Sequence, residues 1–241
     1  MKKKLIDFES VTAIILSFIG GLLDVYCLFN FDIYGMLQTG NLIKLVMNLI
    51  DGNITMFLAT LSIILSFTIG IFFAILYDQK RKNKSVKGLL IITMVLLLFT
   101  IMVPNNSEPR TLSYVKFIAT LLFGLEGAFI FHSFARFGDY AFSSTMMTAN
   151  IKRFVSNIYE RVVNKDKTKG YGIFTYFFII LFFLLGVAAG YCYMKFMPRF
   201  TEGFMGLYEY NLILFVPLLL LFITMILTIK IDAKYHINEK Q

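Results

Sequence analysis

The chain has 241 residues, of which 58% are hydrophobic and only 16% are charged, and its mean hydropathy is +0.73. Soluble domains usually carry about 25% charged residues, and a soluble protein of this size lacks the interior to bury so much apolar surface. The composition therefore excludes a cytosolic enzyme, a secreted disulfide scaffold, a disordered chain and a nucleic-acid binder. The net charge of +8 fits the basic loops of a membrane protein.

Apolar stretches recur along the whole chain. A helix needs roughly 20 apolar residues to cross the bilayer core of about 30 Å. Six stretches are candidates, namely residues 11–31, 56–77, 88–103, 117–135, 170–194 and 210–229. The third stretch is short, and the last contains Pro217, which membrane helices tolerate better than soluble ones. The sequence predicts an all-α integral membrane protein with six transmembrane helices.

The basic residues predict the orientation of these spans. With six crossings and an inside N-terminus, 18 of the 23 Lys and Arg residues lie on the inside. Cytoplasmic loops carry such an excess, so both termini are predicted to be cytoplasmic. The basic loop at residues 78–87 is interpreted as a cytoplasmic face that binds anionic lipid headgroups.

The sequence contains an internal repeat. Residues 39–50 align without a gap to residues 148–159, and the Thr, Val and two Asn positions coincide. Each segment follows a span that contains an acid. Each precedes an uncharged span with two small residues four positions apart, a spacing that lets membrane helices approach closely. These small pairs are Gly70 with Ala74 and Gly186 with Gly190.

The repeat divides the single membrane domain 1–241 into two halves, at about 1–108 and 109–241. Each half contains three predicted spans, so the second half enters the membrane from the opposite side. The predicted fold is therefore two inverted three-helix repeats, each with a short broken or re-entrant helix after its first span. Secondary transporters and some channels share this architecture.

Two motifs in the first half resemble a known family. Gly20-Gly21-Leu22-Leu23-Asp24 lies in the first span, and Thr39-Gly40-Asn41 follows it. This pair resembles the YoaK-like family of bacterial membrane proteins, a domain of unknown function. The resemblance implies six spans in a bacterial plasma membrane and brings no established substrate. In the second half, Gly124-Leu125-Glu126-Gly127 stands where the family more often has Gly-Leu-Gln-Asn, and Thr148-Ala149-Asn150 replaces a Thr-Gly-x motif.

Three ionisable residues within the spans are candidate site residues, because a charge in the bilayer core is expensive. Asp24 is interpreted as a substrate, ion or proton site, or else as a structural contact with Arg136 or a backbone amide. Glu126 is a candidate proton carrier. His132 lies 240° around the helix from Glu126, so the two are not expected to pair, and His132 is either an accessory site residue or merely interfacial.

The two repeated segments predict short amphipathic helices. Thr39 and Thr148 are assigned as their N-caps, after broken stretches at residues 30–38 and 137–145. If these stretches dip into the membrane, both helix N-termini point at the midplane and favour an anion or a polar solute. Thr39, Asn41, Thr148 and Asn150 then line the site, with Gln38 as an accessory residue. Alternatively, both helices lie on the membrane surface as anchors.

The leading functional prediction is a transporter of a small polar solute or ion with a polar site between inverted repeats; coupling to protons is left open. A channel of the same architecture and a non-transporting accessory protein are the alternatives. An enzyme is not expected, because no nucleophile motif is present. Cys27 and Cys192 lie in apolar runs and suggest neither a disulfide nor a metal site, and no cofactor is expected. An oligomer is left open.

Overall fold

The computed structural model describes residues 8–80, 87–103, 114–134, 147–196 and 209–238. All regular structure in these ranges is helical. The helices are α1 (Phe8–Phe31), α2 (Gln38–Ile50), α3 (Ile54–Lys80), α4 (Lys87–Met102), α5 (Tyr114–Phe134), α6 (Met147–Val162), α7 (Gly170–Phe196), α8 (Glu209–Leu212) and α9 (Phe215–Asn238), with a short 3₁₀ turn at Lys167–Lys169 before α7.

Several helices are apolar on their outer as well as their inner faces, which is the pattern of a membrane span. In the described ranges, four helices are long and apolar enough to cross a membrane: Ser10–Phe31, Ile54–Gln79, Lys116–Ser133 and Lys167–Phe196. The apolar parts of α4 and α9, Lys87–Met102 and Phe215–Ile229, are shorter. Six of the helices therefore match the six predicted stretches in position, and four of them reach the length of a span.

The helices pack in a regular order. The most extensive interfaces join α1 to α7 and α3 to α5. A second set joins α4 to α5 and α9 to α1, while α4 also contacts α9. The short amphipathic helices pack on the helix that follows them, α2 on α3 and α6 on α7. The hydrophobic core centres on α1. Four residues of this helix have fully buried side chains in the core: Leu16, Ile19, Leu22 and Leu23.

Small residues bring the main helix pairs into close contact. A Cβ atom at Gly186 in α7 would overlap the carbonyl oxygen of Phe18 in α1, and one at Gly70 in α3 would lie 2.6 Å from the Cβ atom of Ala128 in α5. Because no side chain separates these backbones, the helices pack at short range. The predicted role of the small pairs is thus confirmed at Gly70 and Gly186.

Both main helix pairs run parallel. Along α3 and α5, the contacts advance together from Ser62 with Thr120 to Asp78 with His132. Along α1 and α7, they advance from the Ser10–Tyr171 hydrogen bond to the packing of Val25 beside Gly190. In an antiparallel pair, the partner number would fall as the first number rises. Each pair therefore crosses the fold in one direction.

Candidate functional site

A non-helical segment of six residues folds back along α1. The helix ends at Phe31, and Asp32 takes a left-handed conformation with φ of 54°. The following residues, 32–37, are called the return segment here. Within it, a Cβ atom at Gly35 would lie 3.0 Å from the Cys27 Sγ atom and 3.3 Å from the Leu23 carbonyl oxygen. Leu23 is two turns, or about 12 Å, before the end of α1, so the chain returns deep into the bundle before α2 begins.

Asp24 is bound to the end of the return segment. Its Oδ1 atom accepts backbone N–H groups from Met36 at 2.7 Å and from Leu37 at 3.2 Å. Leu37 is the N-cap of α2 and has no side-chain cap of its own. The Asp24 carboxylate therefore acts as the capping anion, supplied by a neighbouring helix to the positive end of α2. The contact has the form of the structural alternative predicted for Asp24, with backbone amides as partners; Arg136 lies outside the described residues.

Asn41 fixes the shape of the return segment. Its Oδ1 atom accepts the Tyr34 N–H at 2.8 Å, and its Nδ2 atom donates to the Tyr34 carbonyl at 2.7 Å and to Gln38 Oε1 at 3.2 Å. Gln38 in turn donates to the Gly35 carbonyl at 3.4 Å. The neighbouring Gly40 lies under the Tyr34 ring, where a Cβ atom would come within 2.7 Å of the ring. The Gly-Asn part of the motif therefore builds the turn.

Lys44, one helical turn after Asn41 on α2, also holds the return segment in place. Its ammonium group forms an ion pair with the Asp32 carboxylate and donates to the Asp32 carbonyl at 2.8 Å. It also lies 5.4 Å from the centre of the Tyr34 ring. The left-handed Asp32 is thus held by a charge on the helix that follows it.

The two amphipathic helices present polar residues inward. Asn41 is the only buried residue of α2 and Asn150 the only buried residue of α6. On the same face of α2, Lys44 and Asn48 are half-buried, one and two helical turns after Asn41. Their counterparts in α6 are also half-buried. Those counterparts are Arg153 and Asn157, so the pattern Asn, basic residue, Asn recurs on the two inner faces. Large apolar side chains such as Ile43, Val46, Ile151 and Val155 are exposed.

The assignment of the threonines as N-caps is wrong. Helix α2 begins at Gln38 with Leu37 as its N-cap, so Thr39 lies inside the first turn. Thr148 likewise lies within α6, which the structure describes from Met147. Both threonine side chains are exposed, away from the buried centre. The broken stretch predicted at 30–38 is confirmed at residues 32–37, whereas the one predicted at 137–145 lies outside the described residues.

Glu126 reaches the same centre from α5. It is 1% exposed, and its Oε1 atom lies 2.6 Å from the Thr100 hydroxyl of α4. Within the described part of the chain, its Oε2 atom has no hydrogen-bond partner. A Cβ atom at the next residue, Gly127, would lie 2.9 Å from the Gly35 carbonyl oxygen. Cys27 lies within electrostatic range of both Asp24 and Glu126. The two acids therefore approach the return segment from opposite halves of the chain.

Comparison with known proteins identifies the family and no closer relative. The chain matches the family described as Protein of unknown function (DUF1275) over residues 12–227. It belongs to the DUF1275 family. The YoaK-like resemblance of the two first-half motifs is consistent with this membership. No curated protein matches this DUF1275 chain, and neither does a solved structure.

A second buried polar network in this DUF1275 protein was missed by the sequence reasoning. The Tyr26 hydroxyl donates to Asn211 Oδ1 at 2.6 Å, and the Asn211 amide donates to the carbonyls of Ile101 and Val103 at 2.9 and 2.7 Å. Asn211 therefore binds α1 to the carboxyl end of α4, where helix carbonyls lack partners. The available signal was a lone amide at the start of the last apolar stretch, close to Pro217.

His132 has a partner on another helix. Its Nε2 atom pairs with the Asp78 carboxylate of α3, and both side chains are largely buried. The prediction that Glu126 and His132 do not pair is confirmed, because each is bonded to a different helix. Asp78 was placed in the basic cytoplasmic loop by the sequence analysis; that assignment is wrong, since α3 continues to Lys80 and includes it.

Proposed function

We propose that this DUF1275 protein transports a small polar solute or ion across a bacterial plasma membrane. Six helices cross the membrane as two inverted repeats, α1 to α4 and α5 to α9. The binding site lies between the repeats, around the return segment. The observation that carries the proposal is the convergence of one acid from each half, Asp24 and Glu126, on a break in the helical structure. Broken backbone at membrane depth is tolerated where it is buried in protein or lines a cavity.

The packing order supports the inverted repeat. Under the proposed symmetry, α1, α2, α3 and α4 correspond to α5, α6, α7 and α9. Exchanging each helix for its counterpart turns the α1–α7 interface into α5–α3, and the α4–α5 interface into α9–α1. The same exchange turns α2–α3 into α6–α7 and leaves α4–α9 unchanged. Every extensive interface between described helices thus has its partner, as two copies of one unit related by a two-fold axis require.

The parallel packing of α3 and α5 supports a crossing by the short helix α4. After α3, the chain is on one side of the membrane, and α5 can run parallel to α3 only if the chain first returns to the other side. Helix α4 is the described element between them and has 16 residues, about 24 Å of helix. A local thinning of the bilayer accommodates such a length at modest energetic cost.

The depth of the return segment supports a re-entrant hairpin. Asn48 of α2 donates to Thr60 of α3 at 3.3 Å across the short connection at 51–53. In an antiparallel helix pair with this register, the start of α2 is about level with residue 70 of α3. That level is close to the middle of the span Ile54–Gln79. The exposed apolar face of α2 then faces lipid, and its polar face packs against protein.

Cysteine labelling from each side of the membrane tests the transport mechanism without knowledge of the substrate. We would place one cysteine at the buried return segment, Met36→Cys, in a Cys27→Ser, Cys192→Ser background. A transporter alternates between a state open to the inside and a state open to the outside, so an impermeant thiol reagent should label Met36→Cys from both sides. Trapping one state should raise the labelling rate from one side and lower it from the other. A channel exposes Met36→Cys to both sides together.

The matched control is Leu16→Cys, at a fully buried α1 position within the apolar core. It should resist the reagent on both sides. If Met36→Cys behaves like Leu16→Cys in right-side-out and inside-out vesicles, the segment never meets water. The transport proposal is then wrong, and an accessory role is favoured.

A further inference from the structure

The two central acids have different bonding. One oxygen of Asp24 accepts two backbone N–H groups, from Met36 and Leu37. Among the described residues, Glu126 has the Thr100 hydroxyl as its one hydrogen-bond partner, and its Oε2 atom has none. An ionised carboxylate that is buried with so few donors is strongly unfavourable. In the described part of the chain, the backbone amides that donate to a central acid both donate to Asp24.

The geometry at Thr100 favours a proton on Glu126. The Thr100 Oγ1 atom lies 2.6 Å from Glu126 Oε1 and 3.1 Å from the Leu96 carbonyl oxygen of its own helix. A hydroxyl has one proton to donate and can accept in addition. Both contacts are hydrogen bonds only if Thr100 donates to Leu96 and the protonated Glu126 carboxyl donates to Thr100. With Glu126 ionised, the hydroxyl must abandon one of its two acceptors.

No cation lies beside Glu126 in the described structure to replace that proton. The helices packed against it bring Asp24 and Cys27 from α1 and the uncharged Thr100 from α4, and both acids lie within electrostatic range of Cys27. The remaining charged groups of α3, α4 and α5 are near helix ends, about 9 Å or more from the level of Glu126 along the helix axis. Those whose side chains the structure describes are Asp78 on α3, Lys87 on α4, and Lys116 and His132 on α5.

We propose that Glu126 is the proton-binding residue of the central site and that Asp24 is a fixed carboxylate that positions α2. The proton passes from water to the Glu126 carboxylate and returns to water by the reverse step, with no other covalent bond changed. Because Asp24 already occupies the amides at the start of α2, this end of the site excludes an anion and takes a proton. As the coupling step of a transporter, the proposal depends on the function proposed above, whereas the protonation itself does not.

Infrared difference spectroscopy of the purified full-length protein tests the assignment. A protonated carboxylic acid has a carbonyl stretch that is distinct from carboxylate and amide bands. We expect wild-type protein at neutral pH to show this band, to lose it in Glu126→Gln, and to keep it in Asp24→Asn. Selective carbon-13 labelling of glutamate carboxyl groups in wild-type protein should shift the band, which gives the same answer if a variant fails to fold.

The matched control is Thr100→Val, which removes the hydroxyl and keeps the shape of the side chain. The band should remain and move in frequency, because the proton loses its acceptor. A band that survives Glu126→Gln, or that is absent from wild-type protein at neutral pH, overturns the proposal. Failure of the transport proposal has a different signature, since Met36→Cys then stays unlabelled while the Glu126 band is present.

Discussion

The two halves of the molecule use their central acids in opposite ways. In the first half, Asp24 binds backbone amides of the segment that follows its own helix, and so it joins α1 to α2. In the second half, Glu126 contacts the Thr100 hydroxyl of a helix from the other half and keeps one oxygen without a described partner. A carboxylate that caps a helix is part of the fold, whereas one with a spare oxygen remains available for binding.

This difference follows from which residue reaches the neighbouring helix. On α1, Tyr26 extends to Asn211 in the short helix α8, which precedes α9. On α5, Glu126 extends to α4 instead. The scaffold on either side is similar, since Gly21 and Gly124 both meet a backbone carbonyl of the parallel partner helix. Two similarly packed helix pairs can therefore hold an acid that caps a helix on one side and an acid with an unpaired oxygen on the other.

The largest expected effect concerns the relation of the halves, because labelling from one side is all or none. With six crossings and both termini inside, an impermeant thiol reagent should label Ser107→Cys from the outside and miss Ser85→Cys, both in the Cys27→Ser, Cys192→Ser background. Intact cells, with permeabilised cells as the control, provide the measurement. The opposite labelling pattern would show that the predicted orientation is reversed. Labelling of both sites from outside would show that α4 does not cross the membrane.

The next effect is on stability and separates the two acids. Asp24→Ala removes two charge-assisted hydrogen bonds and leaves the buried Met36 N–H and the partly buried Leu37 N–H unpaired, so we expect a loss of roughly 3–5 kcal/mol. Asp24→Asn keeps an acceptor oxygen and should lose about 1–2 kcal/mol. Glu126→Gln should change stability by less than about 1 kcal/mol, because it breaks no bond to the backbone. Thermal unfolding in detergent measures all three.

Equal losses at Asp24 and Glu126 would contradict the division of roles. The sequence alone favoured a functional Asp24, on the argument that an acid in an apolar span needs a purpose. The purpose found in the structure is the cap on α2, so we expect Asp24→Asn to act first on stability.

A smaller effect tests whether the second half contains its own turn before α6. Asn41→Ala removes three hydrogen bonds from a fully buried side chain and should destabilise the protein by about 1–3 kcal/mol. If residues 135–146 repeat the structure of the return segment, Asn150→Ala should cost a similar amount. The exposed Thr39 and Thr148 are the matched controls, and their alanine variants should stay within about 0.5 kcal/mol of wild type. If Asn150→Ala leaves the stability unchanged, the two halves resemble each other in α2 and α6 but not in the segments that precede these helices.

Periodicity and composition predicted much of the fold. Each apolar stretch became a helix because it can satisfy its backbone internally, and the alignment of residues 39–50 with 148–159 located both amphipathic helices. Their ends were less predictable. Thr39 has the side chain of an N-cap, yet the N-cap position falls two residues earlier, at Leu37, because a carboxylate from α1 replaces the local cap. Sequence spacing carries no information about a partner that arrives through space.

The sequence singled out the two acids and Asn41 of the candidate centre but not their arrangement. Asp24 and Glu126 stood out because each is an acid in an apolar run, and Asn41 because it recurs as Asn150. Asp78 and Asn211 were missed because they sit at the ends of apolar runs, where polar residues are ordinary. The buried partner of Asp78 appears only once α3 packs on α5, and those of Asn211 only once α8 lies between α1 and the end of α4.

The smallest expected effect compares the two connections that follow the amphipathic helices. After α2, Asn53 accepts the Met56 N–H at 3.2 Å. After α6, Asp166 accepts the Thr168 N–H at 2.9 Å and its hydroxyl at 2.6 Å. The Thr168 hydrogen bonds lower the pKa of Asp166 below its ordinary value, so the ionised form stabilises the folded chain above the unfolded-state pKa. This contribution is lost as the pH falls through the folded-state pKa.

Because the Asp166 carboxyl lies at the surface, water screens the interaction and the effect on global stability should be barely detectable. The sensitive measurement is the titration of the Asp166 carboxyl carbon by NMR. Thr168→Ala keeps the backbone donor and removes the hydroxyl, so the midpoint should rise partway toward the ordinary pKa of aspartate. Asn53→Ala at the other connection should leave that midpoint unchanged. A wild-type midpoint at the ordinary value would mean that the turn before α7 does not persist in solution, and the two connections would then differ in kind as well as in length.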